Sequence, residues 1–170
     1  MPVQRLNHAV LYVRDVDRSV AFYRDVLGFR QVMGIPGRAA FLQAEGSSND
    51  HDLGLFAIGD RAGGSEAGRR TVGLYHLAWE VDTLAELSRV QDALLRADAL
   101  VGASDHGTTK ALYAQDPDGL EFEVSWLVPA DRLTPDALES RTRIGRLDLA
   151  REIGRYGADT RGGVGVSVPV

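Results

Sequence analysis

The fold can be predicted from one segment, Leu6-Asn7-His8-Ala9-Val10-Leu11-Tyr12-Val13, because its pattern recurs later in the chain as Leu74-Tyr75-His76-Leu77-Ala78-Trp79-Glu80-Val81. In both copies a histidine stands at the same place in a short, mostly apolar run of strand length. We therefore expect a buried strand at 5–13 and its counterpart at 73–81, each carrying one histidine. The repeat predicts two copies of one structural unit.

The first copy continues as a β-α-β-β-β module over residues 1–58. Apolar residues recur at helical spacing between Asp15, a suitable N-cap, and Gly28, a natural C-terminal stop. Turn-forming residues then separate three further predicted strands. These strands are expected at about 29–34, 38–45 and 52–58.

A polar, glycine-rich stretch over 59–72 predicts a linker, and the second module occupies 73–127. Thr83 and Glu86 can form a capping box at the start of its helix. Pro117-Asp118-Gly119 predicts the tight turn before the last strand. The remaining strands are expected at about 100–105, 109–115 and 120–127.

These elements predict an α+β protein, in which two tandem βαβββ modules form a curved mixed sheet around a metal cleft. A C-terminal helical extension and tail follow over 128–170. Thr134-Pro135 marks a helix start, with proline at the first position. We expect one or two helices, packed outside the repeat or against a second subunit. Residues 158–170 are expected to be a tail or an added edge strand.

The last strand of the second module offers the carboxylate of a metal site. Alternation places Glu121, Glu123 and Ser125 on one face of that strand. If the two modules curl around a shared cleft, His8, His76 and one of the glutamates can converge there as a 2-His-1-carboxylate site. Glu121 is a rival to Glu123 only if the register slips by two. Imidazole suits Fe, Ni, Cu and Zn alike, so the ligands alone do not name the metal.

Composition excludes several classes of function. The net charge of −5 argues against nucleic acid or an anionic membrane as the main partner. There is no cysteine, and hence no disulfide or thiolate ligand. No apolar run approaches the roughly 20 residues needed to span a bilayer, and no signal peptide is evident. We expect a cytoplasmic protein.

The chain resembles the vicinal oxygen chelate superfamily. The resemblance lies in the two histidines, the turn Asp116-Pro117-Asp118-Gly119 and the glutamate after it. This superfamily contains glyoxalases, extradiol dioxygenases, fosfomycin-resistance enzymes and bleomycin-binding proteins. The resemblance covers about 1–127. It implies that His8, His76 and Glu123 bind a metal, with Glu123 preferred because it lies four residues after Gly119.

Within the superfamily, the stretches 73–76, 102–107 and 111–119 look most like the catechol 2,3-dioxygenase branch. That likeness implies extradiol ring cleavage of a small catechol-like aromatic by dioxygen, with Fe(II), or alternatively Mn(II), as the divalent metal. Tyr113, ten residues before the glutamate ligand, would hydrogen-bond a substrate oxygen. His106 would take part in proton transfer.

The chain also departs from relatives of other branches. Gly54 stands where glyoxalases place a fourth ligand, which favours three ligands, and Asp52 replaces it only if the register is shifted. His51 is a possible further pocket histidine, although its position at a turn predicts exposure.

Two alternative functions and the oligomeric state stay open. One alternative is an isomerase or lyase that acts through an enediolate with Ni, Co or Zn. The other is a non-enzymatic protein that binds an antibiotic. A monomer would contain both modules of the site, and a homodimer through the C-terminal helices is compatible with the sequence.

Overall fold

The computed structural model describes residues 2–3, 5–163 and 166–167. The chain divides into two compact units. The first unit comprises residues 1–65 and 116–119, and the second comprises 66–115 and 120–170. No helix in the described ranges is long and apolar enough to cross a membrane. The predicted α+β fold class is confirmed, with a separate mixed sheet in each unit.

The first unit is a four-stranded sheet with one helix. Its strand order is β1-β4-β3-β2, in which only the β1–β4 pair is parallel. Asp15 caps α1 by accepting hydrogen bonds from the backbone of the first turn, and Gly28 ends it at a φ of 74°. The elements are β1 (Ala9–Val13), α1 (Val16–Leu27), β2 (Arg30–Ile35), β3 (Ala39–Gln43) and β4 (Leu53–Ala57).

The turn over 116–119 belongs to this first unit. Asp118 accepts hydrogen bonds from the guanidinium of Arg14 at 2.8 Å and from its backbone N–H at 3.0 Å. The hydroxyl of Tyr23 donates to Asp116 at 3.2 Å. Burial, followed by the Asp116 charge, raises the pKa of Tyr23 well above its usual range. The predicted tight turn is confirmed, with Gly119 at a φ of 81°.

The second unit contains a five-stranded sheet in the order β5-β8-β7-β6-β9. Thr83 caps α2 by accepting a hydrogen bond from the Glu86 N–H. The elements up to residue 127 are β5 (Leu77–Glu80), α2 (Leu84–Arg96), β6 (Leu100–Asp105), β7 (Thr109–Gln115) and β8 (Glu121–Leu127). The strands β6, β7 and β8 lie within one residue of their predicted ranges.

The antiparallel register of β7 and β8 sets which side chains share a face. Tyr113 pairs with Glu123, and Thr109 pairs with Leu127. The opposite face of β8 is buried. It carries Phe122, Val124 and Trp126, which are at most 2% exposed.

The prediction of a buried strand over 5–13 is wrong at its start and on one face. Pairing in β1 and in β5 begins one residue after His8 and His76, so each histidine precedes its strand. Val10 and Tyr12 are 51% and 70% exposed. Alternation explains this exposure, because successive side chains of a strand point to opposite faces.

In its described residues, the C-terminal extension contains the two expected α-helices and a 3-10 helix (Ala130–Arg132). It also contains a short strand, which the sequence did not predict. Thr134 caps α3, as expected from Thr134-Pro135. The edge strand β9 pairs with the end of β6. The described part of the predicted tail, 158–163 and 166–167, forms turns and no strand, and 164–165 and 168–170 lie outside the described residues. The elements are α3 (Pro135–Ser140), β9 (Gly145–Arg146) and α4 (Leu149–Tyr156).

We predict opposite effects of alanine at two glycines of this region. Gly107 has a φ of 75°, and an added Cβ would lie 2.2 Å from the Ala137 carbonyl of α3. Gly107→Ala should lower the free energy of unfolding by about 1–3 kcal/mol. Gly154 lies in α4 with open space around it, so Gly154→Ala should raise that free energy by up to about 1 kcal/mol. Urea unfolding followed by circular dichroism measures both changes. Equal unfolding midpoints for the two variants would contradict the packing of α3 on Gly107.

Candidate metal-binding site

A histidine and a carboxylate lie side by side at the start of the second unit's parallel strand pair. His76 Nε2 lies 3.6 Å from Glu123 Oε2, and the two side chains are 26% and 15% exposed. Glu123 is placed there by β8, where it pairs with Ala78 on one side and Tyr113 on the other. The separation is too long for a hydrogen bond, so the two groups face each other without bonding directly.

A divalent cation fits this pair. Nitrogen and oxygen ligands typically lie roughly 2.1 Å from a first-row dication, so two ligands of one ion can be up to about 4.2 Å apart. His76 Nδ1 is also buried, with no hydrogen-bond partner among the residues that the structure describes. The imidazole and carboxylate donors suit iron, zinc and related metals. Within the same residues, no group of three or more histidine and acidic side chains is gathered for a metal.

Two polar side chains extend the pair on the same side of the sheet. The Tyr113 hydroxyl lies 3.1 Å from His106 Nε2, and the rings of Tyr113 and His76 are 6.0 Å apart. Desolvation and then the Glu123 charge raise the pKa of Tyr113 to about 12. Tyr113 is therefore a neutral hydrogen-bond donor near neutral pH. The structure thus brings together His76, Glu123, Tyr113 and His106.

The loop that carries His106 is held by a buried lysine. Lys110 is fully buried, and its ammonium donates to Asp105 and to the Gly107 carbonyl, on either side of His106. It also lies 3.1 Å from Glu152 of α4, which is 3% exposed. Residues before and after His106 are thereby tied to the C-terminal extension.

The role of Lys110 was not predicted from the sequence, although a signal was present. Alternation along β7 places Lys110 with Leu112 and Ala114 on the face that packs into the core. A single charged residue on the otherwise apolar face of a strand indicates a buried charge that is paired with an opposite one. The chain has no other lysine.

His8 lies in the first unit and has its own neighbours there. Its Nδ1 is 2.7 Å from Asn7 Oδ1, and its ring centroid is 4.5 Å from that of His51. The expectation that His51 is exposed is wrong, since its side chain is only 13% exposed. The ring of His51 is buried because it packs between His8 and Phe41, whose centroid is 5.1 Å away.

The alternatives raised by the sequence also have definite places. Glu121 forms no ion pair with a histidine in the described part of the chain, and it lies opposite Gln115. Gly54 is central in β4, between Val10 and Phe41. Asp52 accepts hydrogen bonds from the backbone and side chains of the turn before β4, so its oxygens are committed to that turn.

A cavity of about 570 Å³ adjoins the site within the second unit. His106 and Glu123 line it together with hydroxyl-bearing, apolar and basic side chains. The other lining residues are Thr108, Thr109, Leu127, Val128, Leu133, Arg141, Thr142 and Ser167. A small ligand that reaches Glu123 therefore has room beside β7 and β8.

Two βαβββ units, together with a histidine–carboxylate pair at one sheet, define a protein of the vicinal oxygen chelate class. The chain belongs to the Glyoxalase/Bleomycin resistance protein/Dioxygenase superfamily, which it matches over residues 5–124. A lactoylglutathione lyase structure from Agrobacterium tumefaciens superposes with a TM-score of 0.55 at 24% identity. It covers 74% of this chain and 95% of that one. This likeness shows the fold alone.

Several curated relatives are dioxygenases. Catechol-2,3-dioxygenase of Bacillus subtilis (strain 168) is 32% identical over 70% of this chain and 40% of its own length. Biphenyl-2,3-diol 1,2-dioxygenase 3 of Rhodococcus globerulus is 34% identical over 71% and 62%. An iron-dependent extradiol dioxygenase of Rhodococcus jostii (strain RHA1) is 29% identical over 71% and 42%. The chain thus spans between 40% and 62% of the length of these relatives.

The raised pKa of Tyr113 yields a prediction for the metal-free protein. Glu123→Gln removes a negative charge that opposes phenolate formation, so the pKa of Tyr113 should fall below about 12. It should stay above 10.0, because desolvation is the larger cause. Glu121→Gln is the matched control and should lower it less, since Glu121 is the weakest contributor. NMR titration of ¹³C-labelled tyrosine checks this, and a larger shift in the control would contradict the arrangement.

The buried lysine yields a second prediction, for stability. Lys110→Met leaves the Glu152 carboxylate buried without its cation and should cost about 3–5 kcal/mol in the free energy of unfolding. Adding Glu152→Leu should recover most of that loss, because the buried charge is then gone. Arg89→Met breaks an exposed pair with Glu86 and should cost at most about 1 kcal/mol. Urea unfolding distinguishes the three, and a Lys110→Met loss no larger than that of Arg89→Met would refute the buried-pair argument.

Proposed function

We propose that the protein is a metal-dependent extradiol-type dioxygenase that cleaves the ring of a catechol-like aromatic. The observation that carries the proposal is that His76, Glu123, Tyr113 and His106 lie together in one unit. His76 and Glu123 are 3.6 Å apart, Tyr113 and His106 are 3.1 Å apart, and Tyr113 pairs with Glu123 across β7 and β8. The dioxygenase names of the curated relatives support it.

In this proposal His76 and Glu123, with His8 as third ligand, hold Fe(II) or Mn(II). The metal, when bound, acidifies the substrate hydroxyls and offers open positions to substrate and dioxygen. A three-ligand set is supported by Gly54, which has no side chain to contribute where a glyoxalase would place a fourth ligand. The iron-dependent relative supports a divalent metal.

In the proposed reaction, Tyr113 donates a hydrogen bond and His106 transfers a proton. Because its pKa is raised to about 12, Tyr113 keeps its proton and can donate a hydrogen bond to a substrate oxygen. Imidazoles take up and release protons near neutral pH, so His106 can accept a proton from the substrate hydroxyl and later return it. The 3.1 Å contact between Tyr113 and His106 keeps the two groups at one position.

The test begins with elemental analysis of protein purified without chelator, for the wild type, His76→Ala and the control His51→Ala. Near-stoichiometric iron or manganese that is lost in His76→Ala and kept in His51→Ala is the expected result. Oxygen uptake with catechols, with the absorbance of ring-cleaved product, should then follow metal content. His106→Ala should retain the metal and lose about 10²-fold or more in kcat.

Other outcomes assign the chain to other members of the family. Nickel, cobalt or zinc without oxygen uptake would replace the dioxygenase by an isomerase or lyase. If no metal binds even after anaerobic loading with Fe(II) or Mn(II), the enzymatic proposal fails. Tight binding of an aromatic antibiotic by metal-free protein would then favour a resistance protein.

A further inference from the structure

The cavity beside Glu123 contains an arginine that the proposed reaction does not use. Arg141 directly follows α3 and lines the cavity with Thr142. Both residues are exposed, and the Arg141 guanidinium, which is open to solvent, has no ion pair or hydrogen bond among residues 2–3, 5–163 and 166–167. By contrast, the nearby Arg143 pairs with Glu139 at 3.2 Å. A guanidinium is permanently charged and matches a carboxylate with two parallel hydrogen bonds.

The cavity extends along β7 and β8 away from the metal-binding pair. Glu123 and Leu127 share one face of β8, four residues apart, which corresponds to roughly 13 Å along the strand. Leu127 pairs with Thr109, which also lines the cavity. Leu127, Val128 and Leu133 provide apolar surface in the same cavity as Arg141. An aromatic ligand therefore meets apolar contacts as well as a cation.

The charges of the lining favour an anion at Arg141. Among the lining residues that the structure describes, Glu123 is the one with a carboxylate, and it is the proposed metal ligand, so a bound cation would offset its charge. Within that part of the lining no second carboxylate competes for the guanidinium. The hydroxyl of Thr142 adds a neutral hydrogen-bond donor beside it.

From these observations we propose that the substrate is a catechol bearing a carboxylate on a short side arm, and that Arg141 binds this carboxylate. The identity of the ring as a catechol rests on the proposed function. The inference that the substrate bears a carboxylate rests only on the cavity and its unpaired arginine. Arg141 is thus a specificity-determining residue.

The first experiment requires neither metal nor turnover. Calorimetry on metal-free protein compares phenylacetate with phenylacetamide, which has the same shape and no charge. We expect phenylacetate to bind about 10-fold or more tightly, as a charge-assisted pair implies. Arg141→Gln should abolish this preference. Arg143→Gln, which removes an equal charge two residues away, should preserve it. Equal binding of the two compounds by wild type, or a preference that survives Arg141→Gln, would overturn the proposal.

The second experiment separates this inference from the dioxygenase itself. Loaded enzyme is assayed with 3,4-dihydroxyphenylacetate and its amide, and the ratio of their kcat/KM values should be about 10 or more in wild type and near 1 in Arg141→Gln. If both are cleaved at equal rates in wild type, the carboxylate proposal fails and the dioxygenase stands. If neither is cleaved but the Arg141-dependent preference for phenylacetate holds, the dioxygenase fails and the carboxylate site stands.

Discussion

The antiparallel register of β7 and β8 is the constraint on which the candidate site depends. Tyr113 opposite Glu123 places a phenol beside the carboxylate, and Thr109 opposite Leu127 extends the same face into the cavity. The other face carries the large core residues of both strands. Because side chains alternate, a slip of one residue would bury the polar residues and expose the apolar ones. The core therefore constrains the site, since the hydrophobic residues that exclude a one-residue slip also decide which polar residues share the opposite face.

Lys110 is the exception to this alternation, and it connects the extension to the site. Its ammonium lies on the core face of β7, where burial would be costly without partners. Asp105, Glu152 and the Gly107 carbonyl supply those partners. They also connect the His106 loop to α4, while α3 packs on Gly107 and β9 pairs with β6. The C-terminal extension thus contacts this loop through three separate elements, and one of them, α3, ends next to Arg141.

Local signals predicted much of the fold and only part of the site. The helix caps at Asp15 and Thr83 and the alternation of β8 were readable, because each depends on neighbours in sequence. The burial of His51 was not readable, since it depends on the ring of Phe41 in another strand. The strand β9 is two residues long, which is too short to show an alternation of apolar and polar residues. Arg141 looks like any surface arginine until the cavity beside β8 is known. Long-range packing, which leaves no local pattern, accounts for these omissions.

The surroundings of the two repeat histidines bear on which nitrogen each can offer to a metal. In the first unit Asn7 Oδ1 lies 2.7 Å from His8 Nδ1. In a neutral imidazole, the tautomer that donates from Nδ1 to this oxygen leaves the lone pair on Nε2. In the second unit it is Nε2 of His76 that faces Glu123. At both histidines Nε2 is therefore the nitrogen that the proposed metal site would use. For His8 this assignment depends on a contact with its immediate neighbour in the sequence.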